Sequence, residues 1–258
     1  MPLAELGDCS LEYRMILGRA DLPPLVFLHE GLGSAALWRD FPDKLARRTG
    51  ARALIYSRAG YGRSSPLPAK REPDFMHHEA LDVLPRLLAK LGIERPLLVG
   101  HSDGASIALI LAAAHPDRVS GLVLMAPHVF VEAVTLKSIA GIAEKYETTG
   151  LRERLAQHHA HVDDAFRGWS DIWLNSRFGA WSLGAEVQQL SVPALLVQGE
   201  DDPYGTLAQL DAFEAAKGAE ITRLVLPSCG HSPHRDQQPA VLDAIVGFAT
   251  KLAARSEQ

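Results

Sequence analysis

Six short apolar runs, each ending in a cluster of glycine and polar residues, most constrain the fold of this chain. Unbroken apolar runs are typical of strands that are buried on both faces of a parallel sheet. Segments with helical periodicity separate these runs, and such alternation predicts a mostly parallel central sheet flanked by helices. The predicted strands are 25–28, 51–56, 97–99, 121–125, 194–197 and 221–226. The predicted helices are 37–48, 75–91, 104–115, 207–216 and 240–252, and 11–17 is an early additional strand, either parallel or antiparallel.

The polar clusters all follow the carboxyl ends of the predicted strands. In open α/β sheets, ligands bind beyond these ends. We therefore expect the functional residues to lie in the loops that follow the strands.

The segment 128–190 interrupts the alternation, because it contains no convincing strand. We predict that it is a helical cap inserted into an α/β core formed by 1–127 and 191–258. Two interpretations of its aromatic side chains remain open: packing of the cap onto the core, or lining of a pocket beneath a lid. The aromatic residues are Phe166, Trp169, Trp173, Phe178 and Trp181.

Composition excludes several classes of protein. The formal net charge is -5 and no basic stripe is present, which argues against a nucleic-acid partner. Cys9 and Cys229 are far apart and lack metal-type spacing, so we expect reduced thiols and no metal site. The start of the chain lacks the pattern of a signal peptide, and no apolar stretch is long enough to cross a bilayer. We expect a cytoplasmic protein without a membrane partner.

The segment Gly100-His101-Ser102-Asp103-Gly104 is the strongest chemical signal. It follows an apolar strand and opens a helix of small residues, which is the context of a nucleophile elbow. The two glycines relieve crowding at the tight turn. We predict that Ser102 is a nucleophile, with a helix N-cap as the structural alternative.

A serine nucleophile needs a base, and the base needs an orienting carboxylate. His231 follows the last predicted strand and is our candidate base among the 11 histidines. Gly199-Glu200-Asp201-Asp202 follows the preceding strand. We predict that Asp202 orients His231, from the chain order Ser, Asp, His, with Asp201 as the second choice.

The negative oxygen of a tetrahedral intermediate needs prepositioned N–H donors. We predict the backbone N–H of Asp103 as one donor and that of Gly31, or next Leu32, as the other. A plain glycine-rich turn is the alternative for this loop. We assign Glu30, Leu32, Trp169, Trp173 and Trp181 to substrate binding.

These motifs resemble those of the α/β-hydrolase superfamily over nearly the whole chain except the insertion. His29-Glu30-Gly31-Leu32-Gly33-Ser34 is similar to its His-Gly-x-x-Gly oxyanion loop, with Glu30 in place of the first glycine. Arg58-Ala59-Gly60-Tyr61-Gly62-Arg63-Ser64 is similar to its Asp-x-Arg-Gly-x-Gly-x-Ser segment, with Tyr56 or Ser57 where the aspartate usually lies. Gly199-Glu200-Asp201-Asp202 and Gly230-His231 are similar to its Gly-x-x-Asp and Gly-His.

The resemblance implies an α/β-hydrolase fold and a serine hydrolase without a cofactor. Haloalkane dehalogenases and epoxide hydrolases carry aspartate at the elbow, so Ser102 argues against both. The Ser-Asp-Gly elbow resembles the biphenyl-hydrolase-like, valacyclovirase-type group. That likeness implies that Asp103 selects amino-bearing substrates, unless its side chain points sideways to a neighbouring loop.

We expect two-step transfer of a small acyl group from an ester to water. Lactone, amide or carbon–carbon bond hydrolysis on the same triad is the first alternative. A ligand-binding protein of this fold with little turnover is the second. The expected partner is a small-molecule acyl substrate, and the sequence gives no oligomeric state.

Overall fold

A computed structural model of the chain describes residues 1–256 and contains an eight-stranded sheet in the order β1-β2-β4-β3-β5-β6-β7-β8. β2 pairs antiparallel with β1 and β4, and the strands from β4 onward are parallel. The strands are β1 (Leu3–Glu5), β2 (Ser10–Ile16), β3 (Leu25–Leu28), β4 (Ala53–Tyr56), β5 (Leu97–His101), β6 (Gly121–Met125), β7 (Ala194–Gly199) and β8 (Ile221–Leu226).

The six predicted apolar runs are all strands, and the early strand is antiparallel to β4. β3 to β7 are buried throughout, as continuous apolar runs require. β8 differs, because it lies at the sheet edge and exposes Thr222 and Arg223. β1 was not predicted, since three residues are too few to show an alternating pattern.

Helices cover both faces of the sheet, as the alternation predicts. α1 packs against α11, and together they bury one apolar cluster that includes Phe27, Phe41 and Phe248. α4 packs against β3, β5 and β6 on the other face. The core helices are α1 (Phe41–Thr49), α2 (Phe75–His78), a π-turn (Glu79–Val83), α3 (Leu84–Lys90), α4 (Asp103–Ala114), α9 (Ala208–Asp211), α10 (Pro233–Asp236) and α11 (Gln238–Ser256).

The segment between β6 and β7 holds four further α-helices, with one isolated bridge between Phe130 and Ser182. They are α5 (Ala133–Thr148), α6 (Leu151–Ala156), α7 (Val162–Trp173) and α8 (Gly184–Gln189). α7 has acidic residues in its first turn and one apolar face, which is buried. Its side chains reach the loops after β3 and β5, so this segment lies over the carboxyl ends of the strands. The cap boundaries at 128 and 190 stay a prediction.

Two further sequence expectations concern cysteines and membrane spans. Cys9 is half-buried and Cys229 is buried, and both are free thiols. Burial raises the pKa of each thiol to about 11. Within residues 1–256, no helix combines the length and apolarity needed to span a bilayer.

Candidate active site

Ser102 lies on a sharp turn between β5 and α4. Its φ of 52° and ψ of -120° lie in a region that a non-glycine residue seldom occupies. Strain of this kind costs roughly 1–3 kcal/mol and clusters at active sites. A hydrogen bond of 2.9 Å from Ser102 N to Met125 O ties the turn to the end of β6.

The glycines flanking Ser102 are required by close backbone contacts. A Cβ on Gly100 would lie 2.5 Å from Gly104 O, and one on Gly104 would lie 2.1 Å from Leu28 O. These distances are far shorter than any normal contact, and the opposing atoms are backbone atoms that cannot rotate away. The turn therefore excludes side chains two positions before and after Ser102, as the motif predicts.

His231 and Asp202 form a close pair. His231 Nδ1 lies 2.9 Å from Asp202 Oδ1 and 2.8 Å from Oδ2. Tyr204 N donates to Oδ1 and Gln198 Nε2 donates to Oδ2, each at 2.8 Å. Asp201, the alternative carboxylate, is exposed and its N–H donates to Cys229 O. The structure therefore places Asp202, and not Asp201, beside the predicted base.

The charge on Asp202 is stabilised despite its burial. Burial alone would raise the pKa of this carboxyl group, but the hydrogen bond and charge of His231, together with Tyr204 N–H, lower it. Asp202 is therefore ionised near neutral pH and accepts a hydrogen bond from His231 Nδ1–H. His231 Nε2 is then the nitrogen available for acid–base chemistry.

Side-chain hydrogen bonds fix the peptide between Glu30 and Gly31. Glu30 O accepts from His29 Nδ1 at 2.7 Å, Arg58 Nη2 at 3.0 Å and Gly33 N at 3.1 Å. Because C=O and N–H point in opposite directions across a trans peptide, these donors turn Gly31 N–H the other way. Arg58 also donates to His29 O, and both side chains are fully buried. The buried side chains of Arg58 and His29 therefore fix the conformation of this loop.

The predicted oxyanion donors are free to bind a ligand atom. Among the contacts of residues 1–256, no acceptor bonds to the N–H groups of Asp103, Gly31 or Leu32. Asp103 is the first residue of α4, where backbone N–H groups have no partner within the helix. The positive end of the helix dipole adds to its attraction for a negative oxygen.

A cavity of about 200 Å³ brings the predicted site residues together. Ser102 and His231 both line it, although no direct hydrogen bond joins Ser102 Oγ to the imidazole among the described residues. Catalytic hydrogen bonds are often long in unliganded sites and tighten when substrate binds. The lining residues are Glu30, Gly31, Leu32, Ser102, Asp103, His128, Thr135, Ile139, Trp169, Trp173, Tyr204, His231 and Ser232.

The tryptophans divide into two groups. Trp169 and Trp173 line the cavity, and Trp173 Nε1 donates to Asp103 Oδ1 at 3.2 Å. Trp181 does not line it: its ring stacks on Phe178, with centroids 5.1 Å apart, and packs against Trp173 from the far side. The assignment of Trp181 to substrate binding stays a prediction, and the structure places its ring against that of the lining residue Trp173.

Asp103 is among the residues that line the cavity, and its Oδ1 accepts the hydrogen bond from Trp173 of α7. Its carboxyl group is fully buried, and Oδ2 has no hydrogen-bond partner among the described residues. Burial raises the pKa of Asp103, although the positive charges of Arg58 and Arg71 and the Trp173 hydrogen bond oppose this.

Sequence reasoning missed His128, which follows β6 and lines the cavity. Its ring lies 5.0 Å from that of Trp173 and 5.7 Å from that of His231. Burial and the nearby His231 lower its pKa to about 3, so it is neutral at physiological pH. Its position directly after a strand end was a usable signal, because the other site residues share it.

The remaining histidines of the cap and helices lie away from Ser102. His77 Nε2 pairs with Glu186 at 3.0 Å, and His78, His158 and His161 contribute no cavity surface. His159 joins the segment between β6 and β7 to the loops after β3 and β4, accepting from Gly62 N at 3.0 Å and contacting Leu32 O at 3.2 Å. Within residues 1–256, no group of three or more His, Cys, Asp or Glu side chains could hold a metal ion.

Comparison with known proteins agrees with this fold. Residues 23–167 match the family model described as the alpha/beta hydrolase fold. The sn-1-specific diacylglycerol lipase of Mus musculus is 25% identical over 95% of this chain and 87% of its own. Proline iminopeptidase of Lactobacillus helveticus is 24% identical over 85% and 87%. The crystal structure of the enol-lactonase from Burkholderia xenovorans is similar at a TM-score of 0.74, with 24% identity over 96% of this chain and 100% of that one.

Proposed function

This chain belongs to the α/β-hydrolase family and is a hydrolase, and we propose that it cleaves a small carboxylic ester through Ser102, His231 and Asp202. The observation that carries the proposal is that Ser102, on its strained turn, and His231, paired with Asp202, line one cavity. A serine on such a turn, beside an oriented imidazole, is the arrangement that acyl transfer requires.

The reaction begins when His231 Nε2 takes the proton of Ser102 Oγ, which attacks the ester carbonyl carbon. The N–H groups of Asp103 and Gly31 bind the oxygen that becomes negative. His231 then protonates the leaving alcohol, and an acyl group remains on Ser102. Water, activated by His231, attacks this acyl group and releases the acid. Asp202 holds the His231 tautomer throughout.

Labelling with a fluorophosphonate probe tests this proposal. The probe modifies an activated serine, so wild type should be labelled and Ser102→Ala should not. Asp202→Asn should slow labelling while leaving the elbow intact. Absence of labelling in wild type, or equal labelling of Ser102→Ala, would instead support a ligand-binding protein with little turnover. A panel of esters, lactones, amides and 1,3-diketones of matched size then distinguishes the reactions open to this triad.

A second proposal concerns the substrate: Asp103 favours an acyl group that carries an amino group. Asp103 is among the residues that line the cavity, and the Oδ2 of its buried carboxyl group has no hydrogen-bond partner among the described residues. An ammonium group there would gain a charge-assisted hydrogen bond and would stabilise the ionised carboxylate. The buried site strengthens this attraction relative to water.

The matched pair of alanine p-nitrophenyl ester and p-nitrophenyl propionate tests this preference, since they differ by one amino group. Wild type should favour the alanine ester in kcat/KM by roughly tenfold or more, the value of one charged hydrogen bond. Asp103→Asn keeps the backbone N–H and the side-chain shape, so it should remove the preference without abolishing hydrolysis. An unchanged ratio in Asp103→Asn would refute the assignment.

A further inference from the structure

The predicted base is held at its backbone as well as at its ring. His101 Nε2 lies 2.6 Å from the carbonyl oxygen of His231. His101 immediately precedes Ser102 and is fully buried at the end of β5. One rigid side chain therefore joins the turn that carries the nucleophile to the loop that carries the base.

Glu30 lies on the opposite side of the His101 ring. Its Oε2 is 3.4 Å from His101 Nδ1, and its Oε1 is 3.5 Å from Arg235 Nη2. Gly33 makes room for this carboxylate, because a Cβ there would lie 2.4 Å from Glu30 Oε2. Glu30 also directly precedes Gly31, so the contact reaches the oxyanion loop.

The protonation of His101 follows from its neighbours. A carbonyl oxygen only accepts hydrogen bonds, so His101 Nε2 carries a proton. Burial alone would raise the pKa of Glu30, but the adjacent His101 ring and Arg235 lower it well below its usual range. The Glu30–His101 contact resembles the carboxylate–imidazole pair of Asp202 and His231, but it is longer, at 3.4 Å against 2.8 Å, and Nδ1 of His101 has no hydrogen-bond partner among the described residues.

We propose that His101, held by Glu30, is a positioning residue that fixes the distance between Ser102 and His231. This inference rests on the proposed serine-hydrolase function. The pair links the elbow, the base loop and the oxyanion loop. A glutamate in place of the glycine usual in this loop therefore has a role in the arrangement of the site.

His234 provides a matched control for His101. It is equally buried, and its ring lies 4.9 Å from that of His101 and 4.8 Å from that of Trp38. Neither of its ring nitrogens has a hydrogen-bond partner among the described residues. Burial lowers its pKa well below the usual value, so it packs as a neutral ring. Replacement of His234 removes a similar volume and no hydrogen bond.

The first experiment compares His101→Leu with His234→Leu in fluorophosphonate labelling and in p-nitrophenyl butyrate hydrolysis, with thermal unfolding as a check on folding. Misplacement of a catalytic group by about 1 Å costs on the order of 100-fold in rate. His101→Leu should therefore lower the labelling rate and kcat roughly 10- to 100-fold with KM changed less than about twofold. His234→Leu should label at the wild-type rate. Equal losses of labelling rate and kcat in the two variants would show that His101 contributes only packing.

The second experiment replaces His101 by glutamine or asparagine. These amide variants remain informative if His101→Leu does not fold. Gln places its Nε2 donor near His Nε2, whereas Asn reaches only the position of His Nδ1. His101→Gln should retain most of the labelling rate and His101→Asn should lose it. Adding Glu30→Gln to His101→Asn should change the rate less than about twofold, because the two side chains act through one path. Equal rates in the Gln and Asn variants, or a wild-type rate in His101→Asn, would overturn the inference.

The two levels of proposal fail differently. If wild type is labelled at Ser102 and all His101 variants keep the same rate, the positioning role is wrong and the hydrolase function stands. If wild type is not labelled, the proposed function is wrong and the positioning role is wrong with it.

Discussion

Replacement of Gly31 by alanine tests how the cap and the oxyanion loop depend on each other. Gly31 does not have a left-handed φ, so alanine is compatible with the backbone and only the added Cβ matters. That atom would lie 2.2 Å from both Cδ1 and Nε1 of Trp169. Trp169 is buried and packs edge-on against Phe166 at 6.0 Å, which limits its rotation.

The expected loss of activity follows from the movement that the added Cβ requires. Widening the contact from 2.2 Å to an ordinary 3.4 Å requires a movement of about 1.2 Å, which falls mainly on the loop because packing against Phe166 holds Trp169. A shift of about 1 Å at a catalytic group costs on the order of 100-fold, or about 2.7 kcal/mol in the activation free energy. We expect Gly31→Ala to lower kcat for p-nitrophenyl butyrate by this factor and the free energy of unfolding by roughly 1–3 kcal/mol.

A double-mutant cycle with Trp169→Ala supplies the decisive measurement. Without the indole, the alanine at position 31 fits, so Gly31→Ala should cost less than about threefold in that background. Gly141→Ala is the control, because nothing lies within 4 Å of its added Cβ. Alanine is the better helix former, so this change in α5 should raise the free energy of unfolding by roughly 0.5–1 kcal/mol. Equal 100-fold losses with and without Trp169 would refute the steric argument.

Three further changes test the electrostatics and the cavity wall. Asp202→Asn should lower kcat by as much as about 10⁴-fold with little change in unfolding temperature, because the amide favours the wrong His231 tautomer; a loss below tenfold in steady-state hydrolysis would contradict the assignment. The unfolded chain binds a proton at His128 near pH 6.5, whereas the folded chain holds it neutral to about 3. The free energy of unfolding therefore does not depend on His128 above pH 6.5, and it decreases as the pH falls, by about 2 kcal/mol at pH 5. Denaturant titrations of His128→Gln should show a correspondingly flatter pH dependence of this free energy than wild type. Trp173→Phe removes the hydrogen bond to Asp103 and should raise KM for the alanine ester severalfold. Trp181→Phe should leave this KM within about twofold of the wild-type value. Equal KM values in the two variants would contradict the assignment of Trp173, and not Trp181, to the cavity lining.

The sequence determined which segments form the strands and helices, because these depend on local patterns. Continuous apolar runs are required of strands buried on both faces, and β3 to β7 have them. Tight backbone contacts permit only glycine at Gly100 and Gly104, so this motif can be recognised from the sequence alone. Strand ends converge on one edge of a parallel sheet, which is why Ser102, Asp202 and His231 could be grouped from their positions alone.

Only the tertiary structure decided which side chains of the cap and of the surrounding loops face the ligand space. Trp173 and Trp181 have the same chemistry and lie in the same segment, but one lines the cavity and the other packs behind it. The choice depends on the rotation and placement of helices that no short-range pattern encodes. The bond from His101 to the carbonyl of His231 spans 130 residues, and the approach of Glu30 to His101 spans two loops. Contacts between residues so distant in the chain are set by how the strands are ordered in the sheet, and hence by packing rather than by local sequence.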